Sequence, residues 1–155
     1  MAVRTFLPYT KIVGKPLKQE YSFIPQTLGE HIRKKRIESG LSQRDVSIQL
    51  QLSKDCISLW ETGRMYPQIH HYPAIFAFLG YYPFEHETGS VAGKLRQLLH
   101  CRGWNHVQCA KALGIDSGTV KRILNGKRTF KQKTENIAFR WSQLPEYLKQ
   151  QYRLE

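Results

Sequence analysis

The side chains able to do chemistry in this sequence fall into two groups. His100, Cys101, His106 and Cys109 lie within ten residues, a composition that can ligate zinc. Their spacing fits no common finger and the three cysteines form no C-x-x-C, so neither a metal site nor a disulfide framework is expected. There is no G-x-S-x-G, no phosphate-binding glycine loop and no H-E-x-x-H. Nothing therefore arranges a nucleophile, a phosphate cradle or a catalytic metal, and the sequence reads as a non-enzyme without catalytic residues or a cofactor. The second group is polar: Gln43, Lys54, Asp55 and Ser58 fall at the outward N-terminal ends of two short predicted helices. From there a helix can offer donors and acceptors to base edges in a groove.

The elements that must position this second group lie in the stretch from Leu41 to Gly63. Ser42 can cap a helix from Gln43 to about Leu50, Ser53 can cap another from Lys54 to about Thr62, and Gly63 supplies the stop. Leu41, Val46, Leu50, Leu52, Ile57 and Trp60 then turn inward. The pattern is that of two helices meeting at a tight turn, a helix-turn-helix.

The run Leu41-Ser42-Gln43, Val46-Ser47, Leu50, Leu52-Ser53, Ile57-Ser58 and Trp60-Glu61-x-Gly63 resembles the phage repressor and Cro type (XRE family) of bacterial regulators. That family usually carries Ala where Ser47 stands and Gly where Gln51 stands. A side chain at such a left-handed turn position costs roughly 1 to 2 kcal/mol. The resemblance implies a five-helix domain over about residues 28–80, with Gln43 and the early backbone amides of its helix gripping phosphate. It makes Lys54, Asp55, Ser58 and Leu59 the groove readers, Lys toward guanine, Asp toward cytosine N4 and Leu toward a thymine methyl. It also implies that loop cations such as Arg64 meet phosphate, and that Arg36 pairs with Glu61, tying the first helix to the end of the reading helix.

Composition agrees with a polyanionic partner. Against 12 Asp and Glu the chain has 24 Lys and Arg, a net charge of +12 and a pI near 9.8, which favours nucleic acid without choosing a sequence. No run of 18 apolar residues and no signal-peptide core is visible, so a cytoplasmic protein that does not engage a membrane is expected. Residues 1–27 read as a basic arm broken by Pro8, Pro16 and Pro25. Thr27 and Glu30 then form a capping box for a helix ended by Gly40. Beyond a loop holding Pro67, Ile69 to Leu79 read as a helix with Ile69, Tyr72, Ile75, Phe76 and Leu79 toward a core. Residues 81–90, with Pro83 and Gly89, read as a linker able to extend about 33 to 36 Å.

Past that linker the pattern starts again. A shift of 63 residues lays Arg33 on Arg96, Gly40 on Gly103, Leu50 on Leu113 and Gly63 on Gly126. The same shift turns Arg36 into Leu99 and Glu61 into Leu124, so both partners of an ion pair are replaced together. That is the tolerated change, since losing one partner alone would strand a charge. Ala110 and Gly114 carry the family residues that Ser47 and Gln51 lack, and His106 stands where Gln43 does. Helices are predicted near Val91–His100, His106–Leu113 and Ser117–Asn125, capped by Asn105 and Asp116. Ser117, Thr119, Lys121 and Arg122 become the second set of readers, with Lys127 and Arg128 on phosphate. In the tail, Ile137, Phe139 and Trp141 are expected to close the second core, and Leu144, Leu148, Tyr152 and Leu154 to line a final helix.

The expected architecture is all-α, with two tandem lambda-repressor-like helix-turn-helix domains: arm 1–27, first domain 28–80, linker 81–90, and second domain 91–155 with its C-terminal helix. The expected function is a sequence-specific double-stranded DNA-binding transcription regulator, a repressor, with the final helix either capping the second domain's own core or making a homodimer or protein contact. The competing expectations are a DNA-targeting accessory subunit of a mobile element or recombinase, and an antitoxin that represses its own operon.

Overall fold

The computed structural model describes residues 23–85, 89–128 and 130–149; the expected basic arm up to residue 22, and Tyr152 and Leu154 of the tail, lie outside them. The described residues are mainly helical and contain no strand. None of their helices is long and apolar enough to cross a membrane.

The first half opens with α1 (Leu28–Glu38), α2 (Gln43–Gln49) and α3 (Lys54–Glu61). Each starts where a short polar side chain takes an orphan backbone N–H. The Thr27 hydroxyl accepts from Glu30, Ser42 from Asp45 and Ser53 from Cys56, and Glu30 and Asp45 complete reciprocal capping boxes. Between α2 and α3 the chain turns at Gln51 with φ 56°, and Leu52 N–H reaches back to the Ser47 carbonyl at 2.8 Å. The predicted strain at Gln51 is thus real backbone geometry. Helices α1 and α3 approach so closely that a Cβ on Gly29 would lie 1.9 Å from the Trp60 carbonyl oxygen. Glycine is required there by space.

The helix expected from Ile69 to Leu79 divides into a 3₁₀ turn, Ile69–His71, and α4 (Tyr72–Leu79). Pro73 explains the division, because its ring would collide with the Ile69 carbonyl in an α-helical register but is tolerated in a first turn. Ile75, Phe76 and Leu79 are buried from α4, while Ile69 and Tyr72 pack at the margin.

The second half contains α5 (Val91–Arg102), α6 (His106–Leu113), α7 (Ser117–Leu124), α8 (Lys131–Ser142) and α9 (Glu146–Lys149). The first residues of α5, α6 and α7 each fall 63 positions after those of α1, α2 and α3. Ser90, Asn105 and Asp116 cap them at the same offset as Thr27, Ser42 and Ser53. Gly114, the counterpart of Gln51, has φ 67°. Core residues correspond as well, with Leu95, Cys109, Leu113, Val120 and Ile123 buried where Ile32, Val46, Leu50, Ile57 and Trp60 are.

Two expectations need correction. Residues 81–85 are not a free spacer, because Tyr82 is 1 % exposed. Its ring packs on Phe76 of α4 and on Phe84, and its hydroxyl lies 2.8 Å from Nδ1 of His100 on α5. An aromatic run buries too much apolar area to stay stretched in water. With α4 against α5, the apolar core runs continuously through both halves. Phe139, expected in the second core, is 63 % exposed. It sits two residues from buried Ile137, about 200° around α8, and the two cannot face α5 together. Trp141 packs at the core margin and Leu144 and Leu148 are buried in it, so these parts of the tail close this chain's own core.

A buried amide organises that closure. Gln97 on α5 accepts from Trp141 Nε1 at 2.6 Å and donates to the Leu148 carbonyl. Both ends of the side chain are used, which is what permits it to be buried.

Candidate nucleic-acid interface

In the first half the site is built on α3 and on the start of α2. Lys54 and Asp55 are exposed in the first turn of α3, and Ser58 and Leu59 are half-buried one turn later. Lys54 with Ser58, and Asp55 with Leu59, share sides of the helix at i,i+4 spacing. Arg64 is exposed in the following loop, where its backbone N–H continues the helix end by bonding to Leu59.

Behind these residues lies a charged cluster. Arg36 Nε and Nη2 donate to the two carboxylate oxygens of Glu61 at 2.6 and 2.8 Å. Its Nη1 donates to the Leu41 carbonyl at 3.2 Å, and the Glu61 side chain is 3 % exposed. The fork-to-fork geometry fixes α1 to the end of α3. Gln43, expected to grip phosphate, spends one amide N–H on Glu61 at 3.0 Å. Its remaining N–H and its carbonyl are what it can offer outward.

In the second half the corresponding cluster is apolar. Leu99 and Leu124 line one hollow with Trp104, Ile69 and exposed His106, and Arg96 covers the helix end by donating to the Leu124 carbonyl at 3.2 Å. Ser117 is half-buried and Lys121, Arg122, Lys127 and Arg128 are exposed on or just after α7. Thr119, expected among the second set of readers, is tied to the helix cap and keeps its hydroxyl lone pairs as acceptors. Its hydroxyl donates to Asp116 Oδ1 at 2.8 Å and its backbone N–H to Oδ2 at 2.6 Å. These bonds from Thr119, with smaller help from Lys133 and Arg122, hold the Asp116 carboxyl below its usual range.

Thr119, Arg122 and Arg128 meet around one cleft, together with two residues the sequence reading missed, Phe130 and Lys133. Their signal was weak: α8 begins Lys131-Gln132-Lys133, and only folding returns it to the end of α7. Lys127 faces a neighbouring hollow with Arg128, Gly126 and the start of α5.

The four zinc-like residues have separate surroundings. Cys101 and Cys109 are buried in the core, where desolvation pushes their thiols up to about 12 and about 11. His106 is exposed and His100 contacts Tyr82. Among the described residues no three His, Cys, Asp or Glu side chains are grouped as a metal would require.

No protein-family model, curated protein or solved structure matches this chain.

Proposed function

We propose that this protein is a non-enzymatic, sequence-specific binder of double-stranded DNA, a transcription regulator acting as a repressor. On this reading the chain holds two tandem helix-turn-helix units of the phage repressor and Cro type, α3 and α7 are the reading helices, and the protein works in the cytoplasm on the nucleoid. One observation carries the proposal. The same succession of capped helix, left-handed turn and second capped helix occurs twice at one offset, each time with polar or cationic groups on the exposed side of the second helix. The excess of basic residues supports it.

The two readers differ: Lys54 corresponds to Ser117, Ser58 to Lys121 and Leu59 to Arg122. Unlike side chains prefer unlike bases, so the target has two dissimilar halves. The shared core around Tyr82 supports a set spacing between those halves. Selection of bound sequences from random duplexes tests this. An enriched site with two distinct halves is expected, and recovery of unenriched sequence would remove the proposal. Lys121→Ala with Arg122→Ala should erase preference in one half only.

A further inference from the structure

The cleft between the end of α7 and the start of α8 differs in chemistry from the equivalent place in the first half. Its walls are Thr119, Arg122, Ile123, Arg128, Phe130 and Lys133, around a volume of about 240 Å³. Three cations share this space, and among the described residues none of them is in an ion pair. Asp116 is the nearby acid, and both its oxygens are engaged by Thr119. Phe130 is 77 % exposed at the N-cap of α8, with the Lys133 ammonium 5.7 Å from its ring centroid.

Folding does not demand this set. At the same offset the first half has Cys56, Leu59, Met65, Pro67 and His70 where the second has Thr119, Arg122, Arg128, Phe130 and Lys133. The scaffold is therefore compatible with an apolar pair in place of the two arginines. Lys133 and Arg122 feel the Asp116 carboxylate. One acid beside three cations still leaves an excess of positive charge that favours a further anion, and an exposed phenyl ring gains by being covered. A nucleotide satisfies both, because a phosphate takes the cations and a base has a flat face for the ring. A base inside a duplex has both faces covered by its neighbours, so an external ring stacks there only by forcing a base step apart at a cost of about a few kcal/mol, whereas an unpaired nucleotide offers its face without that cost.

We propose that this cleft holds one unpaired nucleotide of a nucleic-acid strand, its phosphate between Arg122, Arg128 and Lys133 and its base stacked on Phe130. The proposal rests on the nucleic-acid reading above and adds a kind of strand that reading does not include. The full chain would be titrated into two labelled probes, a selected duplex and an oligothymidine single strand, and followed by fluorescence anisotropy. Wild type is expected to bind both. Phe130→Ala should weaken the single strand roughly 5- to 100-fold while leaving the duplex within about twofold, and Phe130→Trp should restore the single strand. Circular dichroism would confirm that the variants fold, as an exposed ring predicts. A single strand that does not bind, or that binds Phe130→Ala as well as wild type, overturns the proposal and leaves the duplex reading intact. Equal weakening of both probes also overturns it, since Phe130 would then serve the duplex. Failure of wild type to bind the duplex is the separate result that removes the earlier reading.

Discussion

Arg36 and Glu61 close on each other through two bonds, at 2.6 and 2.8 Å, while their counterparts Leu99 and Leu124 line one apolar hollow in the second half. The same junction between a first helix and the end of a third is thus made once by charge and once by hydrocarbon. Glu61→Ala should destabilise the protein by up to about 3 kcal/mol, because the half-buried guanidinium loses its carboxylate, whereas Arg36→Leu with Glu61→Leu should cost far less. Denaturant melts of the single and double variants check this, and equal losses would contradict it.

His31 predicts a pH dependence. It is buried at the start of α1 with Nδ1 3.1 Å from the Tyr81 hydroxyl. Desolvation, then Lys34, with Glu30 opposing, bring its pKa from 6.5 to about 4. The unfolded chain therefore binds this proton more readily than the folded one. The contribution to stability is complete above pH 6.5 and is lost as pH falls toward 4, up to about 3 kcal/mol. Melts at pH 7 and pH 4.5 should show a drop that His31→Gln reduces. An unchanged drop would assign the effect elsewhere.

Tyr82 is expected to act as the bolt between the halves. Tyr82→Ala should cost roughly 3 to 5 kcal/mol by analogy with other buried aromatics. Tyr82→Phe, which loses the bond to His100, should cost about 1 kcal/mol. Hydrogen exchange checks the location, with faster exchange in α4 and α5 together expected for Tyr82→Ala.

Duplex binding should fall steeply with salt. If about 6 to 10 phosphates are engaged, affinity drops about 10³ to 10⁵ between 50 and 200 mM salt. Removing Lys127 and Arg128 should lower the slope of log affinity against log salt by nearly two. A slope unchanged in that variant would take these residues off the phosphates.

The helix starts were legible because each depends on one short polar side chain a few residues from the amide it satisfies. The repeat was legible for a similar reason, since its glycines and apolar positions recur without a gap. Tyr82 was hidden because Pro83 and the flanking glycines signal a turn, whereas burial is decided by rings on α4 and by His100, 18 residues away. The cation cleft was hidden too, since Arg122 and Lys133 meet only when α8 folds back onto α5. Gln43 shows the limit of a motif: its place at the start of α2 was readable, but its bond to Glu61 depends on a residue 18 positions later.

Gln97 bears on how the chain is made as well as how it stands. Its two partners are Trp141 and the Leu148 carbonyl, 44 and 51 residues downstream, whereas Arg36 waits only 25 residues for Glu61. During synthesis at roughly 5 to 20 residues per second, the first half can close its charged junction while the second is still emerging. Until residues 141–148 have emerged, Gln97 keeps its amide hydrogen bonds to water and the apolar side of α5 around it stays uncovered. A nascent chain halted before Leu148 would leave that apolar side, with Leu95 and Leu98, open to proteases and chaperone capture.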